Sequence, residues 1–225
     1  LMSKDPSKLV IAIDGPAGAG KSTVAKALAT ELHLRYLDTG AMYRAVALMA
    51  QREGILASEG ARAAELAKSL EIRFEEGSPQ KVLVNGEDIT SLIRTPEIGE
   101  LASSLSAYKG LREVLVERQK AMIQEGGFTL EGRDTTTVVA PHADLKIFLT
   151  ASLEERAKRR HLELFEKGTD VTYDEILRQI SERDHRDYTR DDSPLHMAEG
   201  SHRIESYGIP AETIVEKILA IVKTL

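Results

Sequence analysis

The segment Leu9-Val-Ile-Ala-Ile13-Asp14 runs straight into Gly15-Pro-Ala-Gly-Ala-Gly-Lys21-Ser22-Thr23. An apolar run meeting G-x-x-x-x-G-K-[ST] predicts a buried strand, a phosphate-binding loop and the first turn of a helix. The glycines let the backbone curl until successive N–H groups face one concavity. The helix behind the loop adds its unpaired N-terminal N–H groups and the positive end of its dipole. Gly15, Pro16, Ala17, Gly18, Ala19, Gly20, Lys21, Ser22 and Thr23 are therefore the expected cradle of a nucleoside triphosphate. Lys21 is placed to reach the β- and γ-phosphates, and the Ser22 hydroxyl to ligate Mg²⁺. The helix stands on its own pattern, with Val24, Leu28 and Leu32 at fourfold spacing between good helix formers. A dinucleotide-binding G-x-G-x-x-G does not fit, because Thr23 stands where its third glycine belongs.

The chain has 225 residues, enough for one large domain or two small ones around a sizeable core. Its hydrophobic fraction of 42% is ordinary for a soluble globular protein. No apolar run approaches the ~20 residues that cross a bilayer. Leu1-Met-Ser-Lys-Asp-Pro-Ser-Lys8 lacks the apolar core of a secretory signal, and Leu1 ahead of Met2 reads as an added residue. There are no cysteines, which excludes disulfides and thiolate metal sites and makes a cytoplasmic address the expectation. A net charge of -6 argues against a polyanion binder relying on bulk charge, so neither nucleic acid nor a membrane is an expected partner.

Further along, 35–38 reads as a short strand, and Thr39-Gly40 opens a helix through Met42, Val46 and Met49. Residues 58–70, with Ser58 as N-cap, read as another helix. The stretches 71–75 and 81–84 are strand-like, and Asn85-Gly86 is a hairpin turn signal, so a small antiparallel sheet is expected. Residues 97–125 return to helix with a break near Lys109-Gly110. Strands are expected at 128–131, 145–149 and within 201–206, and helices at 152–166, from about Thr172, and at the C-terminus through Ile218, Ile221 and Val222. The alternation predicts an α/β fold, a parallel sheet covered by helices, with ligands beyond the carboxyl ends of its strands.

Arginine gathers in four places. The stripe Tyr173, Ile176, Leu177 and Ile180 continues at helical spacing into Arg183, Asp184, Asp187 and Arg190. Either this end is solvated, with Arg183 and Asp187 an i,i+4 pair, or its face lines a cleft and the arginines hold phosphate or ribose. Glu131-Gly-Arg133-Asp134 closes a strand on the ligand edge of the sheet, unless it is only a capped turn. Thr39-Gly-Ala-Met-Tyr43-Arg44 offers a helix N-terminus and a guanidinium one turn in, or simply an amphipathic helix with Arg44 in solvent. Arg156, Arg159 and Arg160 suit a mobile lid over a transferring phosphoryl group, or a solvated helix following Glu154 and Glu155. With a triphosphate loop in the same chain, the four together point to a second anionic ligand.

These residues resemble a known family. Asp14 to Thr23, Leu37-Asp-Thr-Gly-Ala-Met-Tyr-Arg44, Gly132-Arg-Asp134 with Thr137-Val-Val139, Lys146-Ile-Phe-Leu149, and Arg183-Asp-x-x-Asp187-x-x-Arg190 are similar, in the same order, to bacterial cytidylate (CMP) kinases. The resemblance covers residues 9 to about 195 and includes the small inserted sheet. It implies ATP as donor with Mg²⁺, and CMP or dCMP as acceptor. Arg44, Arg133 and Arg190 would hold the acceptor phosphate, while Ser103, Arg112 and Asp134 would read the cytosine edge. Arg183 and Asp187 would contact the ribose, with Thr39 and Tyr43 also at the acceptor. Arg156, Arg159 and Arg160 fall in the family's lid, and with Lys21, Arg133, Asp134 and Arg190 make the implied catalytic set. The implied division is a core of 9–38, 127–150 and 200–225, an acceptor region of 39–126, and a lid with ligand helix at 151–199, acting as a monomer. This chain departs from the pattern at Glu131, where members carry Asp, at Thr135-Thr136-Thr137, and through 201–210.

The chemistry fits the residues without the family name. A phosphate monoester with second pKa about 6 is largely dianionic at neutral pH and needs no general base. Positioning and charge neutralisation by Lys21, Mg²⁺ and arginines then suffice for in-line transfer, with domain closure before it. The 6 histidines show no metal-ligand spacing. A regulatory GTPase would need Asn-Lys-x-Asp, and the only asparagine is Asn85. A kinase of UMP, or of a hydroxyl metabolite such as a sugar or shikimate-like acid, stays as the alternative; the latter would want a carboxylate base, Asp38 or Asp134. A non-enzymatic ATP-binding module leaves the surplus arginines unexplained.

Overall fold

The computed structural model describes residues 5–225, so Leu1 and Met2 lie outside the described residues. The chain forms two compact units, one comprising residues up to Tyr36 together with Glu125 onward, the other Leu37–Gln124.

The first unit begins with β1 (Val10–Asp14), the phosphate loop and α1 (Lys21–Leu32), and reaches β2 (Arg35–Asp38), whose second half enters the other unit. That second unit holds α2 (Thr39–Arg52), α3 (Gly60–Ser69), β3 (Ile72–Glu75), β4 (Lys81–Val84), β5 (Glu87–Asp88), α4 (Pro96–Leu105) and α5 (Lys109–Ile123). The chain then returns through β6 (Phe128–Gly132), β7 (Leu145–Thr150), α6 (Leu153–Glu166), α7 (Tyr173–Thr189), β8 (His202–Glu205) and α8 (Ala211–Val222).

The main sheet is parallel, in the order β2-β6-β1-β7-β8. Strand β1 pairs from Val10↔Phe128 to Asp14↔Gly132 on one side and from Ile11↔Leu145 to Asp14↔Phe148 on the other. Strands covered on both faces carry the continuous apolar runs read at 9–13 and 145–149. Leu9, Ile11, Ile13, Leu145, Ile147 and Leu149 join Val24 and Leu28 of α1 and Ile214 and Ile218 of α8 in one core. The strand order reverses at β1, which puts the loop after it at the crevice where open α/β sheets bind ligands.

In the second unit α2 packs on α4 and α3 on α5, beside the antiparallel sheet β3-β4-β5. Asn85 and Gly86, at φ 49 and 86, make the left-handed two-residue hairpin turn expected of that dipeptide. One helix start is corrected. The cap position of α3 is Glu59, not Ser58, and the next position is glycine because the Tyr108 ring lies where its Cβ would be. No helix among the described residues is long and apolar enough to cross a membrane.

Candidate active site

The loop's shape follows from its glycines. A Cβ on Gly15 would stand 1.9 Å from the Leu149 carbonyl oxygen, so only glycine lets the loop leave β1 this close to β7. Gly20, at φ 93, occupies the N-cap of α1 and offers no side-chain acceptor, which keeps the first-turn N–H groups available to an anion. Lys21 is buried, and its Nζ donates to the Pro16 carbonyl at 2.9 Å. Burial first, and the Arg133 guanidinium second, bring its pKa from 10.5 down to about 7. Ser22 Oγ donates to Glu131 Oε1 at 2.5 Å, and the Tyr36 hydroxyl donates to the same oxygen at 3.2 Å. Beyond the loop opens a cavity of about 390 Å³, walled by Gly18–Val24, Arg159, Glu163, Ser206, Ile209, Ala211 and Ile214.

Asp14, at the end of β1, is fully buried and takes four hydrogen bonds. Thr135 gives its N–H (2.9 Å) and hydroxyl (2.7 Å) to Oδ1; Thr136 gives the same pair (2.7 and 2.6 Å) to Oδ2. Burial pushes this carboxyl above its ordinary range against the pull of those bonds. The threonines that depart from the family pattern are thus the clamp that sets a π-type turn, Thr135–Val139, directly behind Arg133 and Asp134.

The charged end of α7 is a packed cluster, not a solvated helix end. Arg133 Nε donates to Asp187 Oδ2 at 2.8 Å, and Arg190 Nη1 lies 3.8 Å from Asp187 Oδ1 with a side chain only 4% exposed. Burial works to raise the Asp187 carboxyl, but the charges of Arg133, Arg183 and Arg190 outweigh it and hold it below the usual range. Asp134 is buried beside this group in sequence, and Arg183 is half-buried. On α6, Arg156 is buried and donates to the carbonyls of Ala151 (3.0 Å) and Ala17 (3.0 Å), and to Asp184 (2.6 Å). Arg159 Nη2 donates to the Gly18 carbonyl at 2.6 Å. Arg160 pairs with Glu163 at 3.2 Å on the outer side.

In the second unit, Asp38 caps α2 through the Ala41 N–H (2.8 Å). Its other oxygen takes Arg44 (2.7 Å) and Arg94 (3.3 Å). Burial favours raising Asp38, yet Arg44 and then Arg94 hold it below its ordinary range. Thr39 and Tyr43 are buried on α2, and the Arg112 guanidinium lies 5.5 Å from the Tyr43 ring centroid. Arg112 Nη1 donates to the Ser106 carbonyl at 3.1 Å, while Ser106 Oγ donates to the Ser103 carbonyl at 2.8 Å. Through Ser106, Ser103 and Arg112 are linked, and Arg112 reaches the Tyr43 ring. Sequence reasoning did not single out Asp14, Arg94 or Ser206, and it gave Glu131 no role. Asp14 adjoins the loop motif and Glu131 ends a strand, which were the signals within reach.

The parallel sheet and the loop after β1 define a P-loop protein of the kinase type. The family model for cytidylate kinase matches residues 11–224. A cytidylate kinase of Desulforamulus reducens is 49% identical over 209 residues, 93% of this chain and 94% of the relative. One of Carboxydothermus hydrogenoformans is 46% identical over 213 residues, 94% of this chain and 96% of the relative. Among solved structures, a gluconokinase from Sinorhizobium meliloti 1021 is similar at a TM-score of 0.51 and 16% identity, over 95% of this chain and 91% of that one, a likeness of fold alone. The chain belongs to the cytidylate kinase family and is a phosphotransferase.

Proposed function

We infer that this enzyme transfers the γ-phosphoryl group of ATP to CMP or dCMP, giving ADP and CDP or dCDP. The observation that carries this reading is geometric: the register Asp14↔Gly132 sets the donor loop beside Arg133, whose guanidinium donates to Asp187 in the buried arginine–aspartate cluster with Arg190. A group passing between two phosphates needs cations on both sides, and a dianionic acceptor needs no base. Lys21 and the loop N–H groups hold the donor; Arg44, Arg133 and Arg190 hold the acceptor phosphate. Ser103, Arg112 and Asp134 read the cytosine, and Arg183 with Asp187 orients the ribose, with Thr39 and Tyr43 on the same ligand. Residues 39–126 serve as the acceptor region and 151–199 as the lid, from which Arg159 and Arg160 close on the transferring group and exclude water. The cavity beside Ile209 and Ile214 takes the donor base. The enzyme works as a cytoplasmic monomer.

Mg²⁺ fits the residues present. Ser22 Oγ and Glu131 are hard oxygen donors set side by side. Among the described residues no group of three or more His, Cys, Asp or Glu is arranged to hold a metal, which suits an ion taking its remaining ligands from phosphates and water. When bound, the ion supplies positive charge to the β- and γ-phosphates.

A hydroxyl acceptor fits less well. Asp38, a base such chemistry could draft, has both oxygens committed to the α2 cap and two arginines. Calorimetric titration of Arg183→Ala and Asp187→Ala tests the acceptor assignment. CMP binding should weaken about tenfold or more while ATP binding changes little; equal losses for both nucleotides would show that this end of α7 is structural.

A further inference from the structure

Four consecutive carbonyls of the phosphate loop each accept a hydrogen bond from a different side chain. Pro16 takes Lys21 Nζ at 2.9 Å, Ala17 takes Arg156 Nη1 at 3.0 Å, Gly18 takes Arg159 Nη2 at 2.6 Å, and Ala19 takes Ser206 Oγ at 3.0 Å. A trans peptide carries its N–H and C=O on opposite edges of one plane. Fixing a run of carbonyls therefore fixes where the matching N–H groups point; apart from the Ala19 N–H, which donates to the Pro16 carbonyl at 3.3 Å, those N–H groups form the anion nest. The loop contains Gly15, Gly18 and Gly20, so left to itself it would lose much backbone freedom on closing around a ligand.

The four donors are not alike. Arg156 is buried and committed on every edge, to Ala151 on its own helix, to Ala17 on the loop and to Asp184 on α7. Ser206 is 3% exposed, and its N–H is tied to the Thr150 carbonyl at the end of β7 at 2.8 Å. Both are anchored to the scaffold. Lys21 and Arg159 line the donor cavity as Ser206 does, but they are not tied to the scaffold in this way: the buried Nε of Arg159 has no hydrogen-bond partner among the described residues, and its Nη2 reaches only the Gly18 carbonyl and, at 3.4 Å, Ser206 Oγ.

We propose that Arg156 and Ser206 are positioning residues of the donor site, which hold the Ala17 and Ala19 peptide planes so that the N–H nest exists before the triphosphate arrives. Lys21 and Arg159 hold the neighbouring carbonyls only until phosphate oxygens replace them. Arg156 then acts through the loop and not on the transferring group. The inference rests on the reading of this loop as the ATP site. A preformed nest lowers the ordering cost of binding, so its loss appears in affinity.

The test uses Ser206→Ala and Arg156→Lys in the full chain, titrated with ATP, inorganic tripolyphosphate and CMP, together with steady-state rates. Both variants should bind ATP and tripolyphosphate about tenfold more weakly, keep their CMP affinity, and show the loss in KM for ATP far more than in kcat. Ser206→Ala removes a single hydroxyl, so the test stands even where Arg156→Lys fails to fold. Unchanged tripolyphosphate affinity in Ser206→Ala, or a fall in kcat at saturating ATP with that affinity intact, would overturn the proposal. Wild-type protein that binds neither ATP nor tripolyphosphate would instead overturn the donor reading beneath it.

Discussion

Lys21, with its pKa brought down to about 7, holds mostly neutral amine in the free site at about pH 8. A bound triphosphate places negative charge against it and favours the ammonium. ATP binding at about pH 8 should then take up close to one proton, and the uptake should shrink as the pH falls below about 7, where the lysine is already charged. Calorimetry in buffers of different ionisation enthalpy measures this directly, and zero uptake at the higher pH would contradict it. At this scale the phosphate loop was fully legible, because its residues are contiguous and act through their own backbone. Glu131 was not, since its role depends on Ser22 and Tyr36, distant in sequence. Arg183 and Arg190 were legible in one cluster and Arg133 in another; only the packing of Arg133 and Arg190 on Asp187 joins the two and distinguishes a site from a solvated helix end.

Among the elements, α7 carries a complete capping box. Thr172 Oγ1 takes the Glu175 N–H at 3.3 Å, and Glu175 accepts the Thr172 N–H at 2.9 Å. Thr172→Ala should cost about 1 kcal/mol, a fall of about 2–4 °C in Tm for a chain this size, with KM values unchanged; a scanning calorimeter and a rate assay check both halves. The clamp on Asp14 is stiffer. In Asp14→Asn the amide nitrogen must face the N–H of either Thr135 or Thr136, which cannot turn away, so about 1–3 kcal/mol should be lost in urea unfolding. The capping box itself, Thr172-x-x-Glu175, went unread, whereas the helix start near Thr172 was legible. The π-type turn was not, because Asp14 acts from the far side of the sheet's sequence, on β1. Ser58 misled because α3 takes Glu59 as its cap without a side-chain hydrogen bond, and the Tyr108 ring that requires glycine at position 60 is a contact no local pattern encodes.

For the molecule as a whole, periodicity gave the alternation of strands and helices and the inserted sheet, but not the order β2-β6-β1-β7-β8, which depends on long-range pairing. That order matters, since it sets the phosphate loop and the end of β6 side by side through the register Asp14↔Gly132. Donor loop and Arg133 are neighbours for that reason. The acceptor that this arrangement calls for is a phosphate on a cytosine nucleotide. ADP release from ATP and Mg²⁺ should be followed with CMP, dCMP, UMP, AMP and shikimate in turn. CMP or dCMP should support the fastest turnover and yield the corresponding diphosphate; turnover confined to shikimate or another non-nucleotide would contradict the account.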